Sequence, residues 1–255
     1  MWRNQSVCVV LPTYNEKDSI RECIELFLAT GVVDDVLVIN NNAAPGTSEE
    51  VAKTSAREIH EPRQGYGAAI QRGLRETEAD LVVVSEPDAT FEPDDIIKLL
   101  AYSEDFDFVV GTRTAREFLW EGANMGMFLK WGNYFVAKLM EMLFNTVNLT
   151  DMGCTLRLIK HEAVRRMEPH FTILDNHFGP EMMLLACVLE IPFVQIPVNY
   201  RRRIGISSVT ASKWKALGVG LRMIQMVLRY KWRHDGLRIR RRPLRAERPK
   251  ARPLP

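Results

Sequence analysis

Through the first 110 residues of this chain, short apolar β-branched runs alternate with segments whose apolar residues recur at helical spacing. That alternation restricts the fold more than any other feature. Apolar runs at 6–11, 35–40, 81–84 and 106–110, with the short, mostly polar 57–60 between them, read as strands, and residues 18–28, the stretch opening at Thr47, the stretch from Gly67 to Leu74 and residues 93–102 read as helices. Leu81-Val82-Val83-Val84 contains no polar side chain, as expected of a strand covered on both faces. Such alternation builds βαβ units with right-handed crossovers in a parallel sheet. A chain of 255 residues suffices for one large α/β domain or two small ones.

Beyond Gly111-Thr112-Arg113 the pattern changes. Residues 122–147 read as a helix rich in methionine and aromatic residues, which suits either a core or a surface for a flexible hydrophobic ligand. A strand at 151–159, a helix at 177–189 and a strand at 193–200 follow, then the basic loop Arg201-Arg202-Arg203-Ile204-Gly205-Ile206-Ser207-Ser208. The last helix, about 211–232, places Trp214, Leu217, Leu221, Ile224 and Leu228 on one face and Lys215, Arg222 and Arg229 in a basic stripe. Residues 236–255 carry eight Lys/Arg against Glu247, a net +7, so residues 1–235 carry −5 of the total +2. With Pro243, Pro249, Pro253 and Pro255 as well, that tail is expected to be disordered. The expected organisation is a domain over 1–210, an amphipathic helix over 211–235 and the basic tail. The helix and tail suit an anionic membrane surface, or equally a core-packed helix followed by an inert tail.

Composition narrows the function classes. Cys8, Cys23, Cys154 and Cys187 form no CxxC pair and no zinc-like cluster, so free thiols in a reducing cytoplasm are expected. No signal-peptide pattern opens the sequence and no uncharged run approaches the roughly 20 residues of a bilayer span. A cytoplasmic location follows as an expectation, with peripheral contact at the inner face of a membrane left open. An acidic body without a recognition motif ranks nucleic-acid binding last.

The run at 81–84 breaks into Ser85-Glu86-Pro87-Asp88-Ala89-Thr90. Taken alone, Glu86 and Asp88 describe an ordinary acidic turn. At the carboxyl end of a strand in an open α/β sheet, where ligands bind, two hard oxygen ligands at i and i+2 also suit Mg²⁺ or Mn²⁺ held together with phosphate oxygens.

The order of motifs adds what no single one carries. Pro12-Thr13-Tyr14-Asn15-Glu16 after the first strand, Gly46-Thr47 in the polar loop after the second, and the acidic pair after the fourth resemble glycosyltransferase family 2. Gly111-Thr112-Arg113, Asp151-Met152-Gly153-Cys154-Thr155-Leu156-Arg157 and Arg202-Arg203-Ile204-Gly205-Ile206-Ser207 look most like the dolichyl-phosphate and polyprenyl-phosphate sugar transferases of that family. The resemblance implies a GT-A type fold, with a mostly parallel Rossmann-like sheet and helices on both faces. By position, Pro12, Tyr14 and Glu16 match the loop around the nucleotide base and ribose, and Asn41 stands where an aspartate usually contacts the base. Glu86 and Asp88 match the metal-binding acidic positions, with Thr90 at a third, polar one. Arg113, Arg202 and Arg203 match positions associated with the phosphates, Asp151 opens the acceptor segment, and Glu181 is a second candidate at the reacting centre. Asn40, Asn41 and Asn42 depart from the usual acidic residues, and Glu86 is one methylene longer than the usual aspartate.

The implied reaction moves a sugar, with inversion, from a nucleoside diphosphate sugar to an acceptor such as polyprenyl phosphate. A hydroxyl acceptor would need a carboxylate base, Asp151 before Glu181, although a salt bridge to the nearby Arg157 or Arg165 is the structural alternative for both. His177 reads as a hydrogen-bonded helix-start residue. Three other classes compare less well. A noncatalytic nucleotide-sugar binding protein is the nearest. A transferase acting on a soluble hydroxyl acceptor is a further alternative. A nucleotidyltransferase lacks its Gly/Arg-rich phosphate loop, since Gly65-Tyr66-Gly67 reads as a helix-entry turn.

Overall fold

A computed structural model describes residues 1–115, 118, 127–201 and 213–236. The first half follows the expected alternation: β1 (Val7–Thr13), α1 (Lys17–Ala29), β2 (Asp35–Asn40), α2 (Thr47–Val51), β3 (Arg57–His60), α3 (Tyr66–Glu76), β4 (Leu81–Val84), α4 (Asp95–Tyr102) and β5 (Phe108–Thr112). The second half comprises α5 (Met127–Phe144), β6 (Arg157–Lys160), α6 (His161–Met167), a 3₁₀ turn at Glu168–His170, α7 (Phe178–Val188), β7 (Phe193–Pro197) and α8 (Lys213–Gly236). α2 is five residues long and begins at Thr47, with Gly46, at φ +90°, in the cap position. α6 was not foreseen.

The seven strands form one sheet in the order β3-β2-β1-β4-β6-β5-β7. β1 pairs in parallel with β2 and β4, β2 with β3, and β5 with β7. β6 runs antiparallel to both β4 and β5, an exception to the parallel pattern read from the alternation. Apolar periodicity reports which residues are covered and carries no information about strand direction. The reversal has a structural consequence: residues 151–156, which enter β6, arrive at the sheet edge where β4 and β5 leave it.

Alternate residues of each strand face opposite layers. Cys8, Val10, Leu37, Ile39, Val82 and Val84 face one core, shared with α3, α5, α6, α7 and α8. Val7, Val9, Leu11, Val36, Val38, Leu81 and Val83 face the other, under α1 and α4. Each fully buried Val or Leu side chain contributes roughly 1.5–3 kcal/mol relative to exposure, so a strand such as β4, buried at all four positions, is held chiefly by these two layers. Chain order runs from β1 outward to β2 and β3, then returns to β4 on β1's other side. The carboxyl ends of β1 and β4 therefore flank a topological switch point, the place where open α/β sheets form a ligand crevice.

Arg202, Arg203 and the tail beyond Gly236 lie outside the described residues. Among the described residues, no helix is long and apolar enough to cross a membrane.

Candidate active site

Two loops meet at the switch point. The Ser85 amide donates to the Val10 carbonyl at 3.2 Å, and Ser19 Oγ of α1 donates to the Pro87 carbonyl at 2.5 Å. Pro12 lies within β1 opposite Ile39 of β2, while the Tyr14 ring is 49% exposed beside the crevice. Glu16 turns back on its own loop: Oε2 accepts from the amides of Tyr14 and Asn15 at 2.8 and 2.9 Å. Its placement gives Glu16 a role in shaping the loop from which Tyr14 projects.

The acidic loop is fixed just as locally. Ala89 adopts φ +60°, and Asp88 Oδ1 accepts from the Thr90 amide at 3.1 Å and from Thr90 Oγ1 at 2.5 Å. Asp88 and Thr90 are buried and Glu86 is half-buried. Thr90 thus steadies the Asp88 carboxylate directly. Tyr66, the first residue of α3, brings a buried phenol hydroxyl among Glu86, Asp88, Arg157 and Thr155, beside Thr155 but without a well-formed hydrogen bond. Burial, reinforced by the Glu86 charge, raises this phenol well above its ordinary pKa, so it stays protonated and able to donate. The turn that sets it there requires glycine: Gly65 has φ +148°, and a Cβ would fall 2.2 Å from the Leu174 carbonyl oxygen. Sequence reading identified this helix-entry turn and missed its tyrosine.

On the far side of the acidic loop, the chain leaving β7 returns alongside it. The Arg201 amide donates to the Thr90 carbonyl at 2.7 Å, the Arg201 guanidinium pairs with Glu92, and Phe91 packs edge-on against Tyr200 at 5.6 Å. The Arg113 guanidinium lies 5.2 Å from the centre of the Tyr200 ring. These contacts hold the chain beside the acidic loop as far as Arg201.

Arg113 and Asp151 form a nearly buried bidentate pair. Nε donates to Oδ2 at 2.8 Å and Nη2 to Oδ1 at 3.1 Å, and the amides of Arg113 and Gly153 add bonds at 3.2 and 2.9 Å. Burial favours the neutral acid, but the Arg113 charge and these donors outweigh it and hold Asp151 below the usual carboxylate range. The ion-pair partner is Arg113 across the sheet edge, whereas sequence proximity pointed to Arg157 or Arg165. Arg157 is buried as well. Its guanidinium donates to the Gly179 carbonyl at 2.7 Å and to the Cys154 carbonyl, which places a positive charge behind Tyr66.

Glu181 is drawn away from this cluster. Fully buried in α7, its carboxylate accepts from the Thr172 amide and hydroxyl, the Ile173 amide at 3.0 Å and the Tyr230 hydroxyl at 2.7 Å. It clasps the 171–173 segment to α8. His177 caps α7 as expected, with its ring 2.9 Å from Asp175.

The three asparagines are connectors between loops. Asn41 Nδ2 donates to the carbonyls of Glu61 and Arg63 at 2.9 and 2.7 Å, and its Oδ1 accepts from the Gly65 amide at 2.8 Å and Gln64 Nε2 at 3.2 Å. Asn40 joins Ser48, Glu58 and the Ala43 amide, and Asn42 joins Pro62 and Gln64. An amide satisfies both polarities at position 41, which a carboxylate cannot. Asn41→Asp is therefore expected to cost about 2–3 kcal/mol in denaturant unfolding, because the Glu61 and Arg63 carbonyls lose their donor and face a negative charge. Unchanged stability with altered nucleotide affinity would instead place Asn41 at the base.

The comparisons with known proteins agree with this architecture. The family model described as glycosyl transferase family 2 matches residues 8–167, more than half of the chain. Among curated relatives, the low-salt glycan biosynthesis hexosyltransferase Agl6 of Haloferax volcanii is 25% identical over 207 residues, which are 78% of this chain and 49% of that protein. Glycosyltransferase AglJ of the same organism is 31% identical over 112 residues, 43% of this chain and 37% of that one. The chain thus spans about half or less of the curated relatives it matches. A crystal structure of glucosyl-3-phosphoglycerate synthase from Mycobacterium tuberculosis, in complex with Mn²⁺, UDP and glucosyl-3-phosphoglycerate, superposes with a TM-score of 0.68 at 17% identity, covering 89% of this chain and 80% of that one. The shared architecture is the GT-A arrangement expected from the motif order. With its mostly parallel sheet, its crevice between β1 and β4 and its match over residues 8–167, the chain belongs to glycosyl transferase family 2.

Proposed function

We propose that the chain transfers a sugar from a nucleoside diphosphate sugar to an acceptor whose attacking oxygen is already anionic, as in a polyprenyl phosphate. One observation carries the choice of acceptor. Asp151 and Glu181, the two carboxylates suited by sequence to take a hydroxyl proton, are both engaged with donors of the chain itself. A phosphate oxygen needs no such base. The new bond forms between that oxygen and the anomeric carbon, the bond from the anomeric carbon to the diphosphate oxygen breaks, and attack from the opposite face inverts the centre.

The acidic loop fits a divalent cation by the chemistry of its donors. Glu86 and Asp88 supply hard oxygens, with Asp88 held in orientation by Thr90. Among the described residues, no group of three or more Cys, His, Asp or Glu side chains is assembled to hold a metal, so phosphate oxygens and water would complete a Mg²⁺ or Mn²⁺ shell. When bound there, the ion would offset the charge developing on the departing diphosphate. The solved neighbours with Mn²⁺ or Mg²⁺ and UDP support this reading. Tyr14 would lie along the base and ribose, the Tyr66 phenol would donate toward the diphosphate, and Arg202 and Arg203 would reach the phosphates from the segment after Arg201. Arg113 would act by fixing Asp151 and the Tyr200 ring.

A second reading, transfer to a soluble hydroxyl acceptor, draws on neighbouring structures in complex with phosphoglyceric acid. A screen of nucleotide sugars with Mn²⁺ or Mg²⁺ against polyprenyl phosphate and small hydroxyl acceptors separates the two. Glycosylated polyprenyl phosphate is the expected product. Transfer only to hydroxyls would replace it with the second reading, and donor binding by calorimetry without any product would remove catalysis altogether.

A further inference from the structure

Helices α5 and α8 lie side by side on the same core. Val136, Ala137 and Met140 of α5 and Met223, Met226, Val227 and Tyr230 of α8 are buried together, and Lys231 Nζ lies 5.7 Å from the Phe144 ring centre. Of the α8 stripe read from the sequence, Leu221 and Leu228 point to solvent and Ile224 is partly buried against the core, where the main contact comes from the second apolar face. Each helix also carries an outward row at i, i+4, i+7 and i+11, a band about 60° wide. On α5 the row is Trp131, Phe135, Lys138 and Met142, and on α8 it is Leu221, Gln225, Leu228 and Trp232. The six apolar members are between 41% and 79% exposed. Because both helices bury the opposite side in one core, both rows face away from that core.

Charge identifies what this face fits. Residues 127–144 carry Lys130 and Lys138 against Glu141, and residues 213–235 carry six Lys/Arg against Asp235, so the two helices together hold a net +6. The remainder of residues 1–235 holds −11. Arg222 and Arg229 border the α8 row on one side and Lys231 borders it on the other. An exposed apolar band rimmed by cations is the pattern of a helix lying in the headgroup region of an anionic bilayer. A second copy of the chain would bring two positive faces together, which opposes symmetric pairing through this surface.

We propose that α5 and α8 form a two-helix platform that seats the protein on an anionic lipid surface, with Trp131, Phe135, Met142, Leu221, Leu228 and Trp232 entering the interface. The platform stands independently of the acceptor, since vesicle partition is read without any sugar transfer. The test uses the full chain and phosphatidylcholine vesicles with and without phosphatidylglycerol. Binding is expected with phosphatidylglycerol and is expected to fall as salt rises. The pairs Trp131→Ser with Phe135→Ser, and Leu228→Ser with Trp232→Ser, should each lower partition by about tenfold or more with an unchanged unfolding midpoint. Partition equal to wild type in both pairs would attribute binding to the basic tail alone and overturn the platform. Equal binding to phosphatidylcholine would refute the anionic surface. A dimer in sedimentation that the same substitutions dissociate, without vesicle binding, would assign the face to a second copy instead.

Discussion

Asp88→Asn is expected to reduce sugar transfer by about a thousandfold while leaving the fold intact. The substitution is chosen for what it retains. Oδ1 still accepts from the Thr90 amide and hydroxyl, so the loop geometry at Ala89 persists while the negative charge is lost. Asp88 lies at the carboxyl end of β4 inside the crevice, where a cation would meet the diphosphate. Removing the charge lowers affinity for that cation and exposes the leaving group to its own developing charge. Turnover with saturating nucleotide sugar and Mn²⁺ or Mg²⁺, measured together with the unfolding midpoint, distinguishes this from loss of structure. Glu86→Gln should have the smaller effect, since a longer and more exposed side chain holds its oxygens less rigidly. Unchanged turnover in Asp88→Asn would remove the acidic loop from the chemistry.

The parts of this arrangement legible in the sequence are those set by local pattern. Leu81 to Val84 is uniformly apolar because both faces of β4 are covered, and the break at Glu86 marks the strand end at the ligand edge. Pro12 to Glu16 declared the end of β1 in the same way. What the sequence did not disclose depends on partners distant along the chain. Arg113 meets Asp151 across 38 positions, and Glu181 meets Tyr230 across 49, so neither carboxylate's engagement could be read from its neighbours. The direction of β6 has no periodic signature, and α8 carries two apolar faces where the helical pattern suggested one. Asn41 was legible as a departure from the family's aspartate, but its reason, two carbonyls and two donors around one amide, emerges only when the 61–65 loop is folded against it.

Asp151→Asn is expected to destabilise the protein by about 3–5 kcal/mol, because it leaves the Arg113 guanidinium nearly buried without its counter-charge. A general base would behave differently: its amide variant would lose rate at full stability. Replacing both partners, Arg113→Met with Asp151→Leu, should recover much of the stability lost in the single variant, since the cost lies in the orphaned charge more than in the pair itself. The pH dependence supplies an independent sign. Asp151 has its folded pKa depressed below the ordinary carboxylate value of about 3.9, so its contribution is fully present above that value. As pH falls below about 4 the unfolded state binds the proton first, and the contribution declines until the depressed folded pKa is passed. The stability difference between wild type and Asp151→Asn should therefore be constant near neutrality and shrink under acid. A difference that grows as pH falls, or a variant that unfolds like wild type while losing turnover, would return Asp151 to the role of proton acceptor. In that case a hydroxyl acceptor, deprotonated by Asp151, would displace the phosphate.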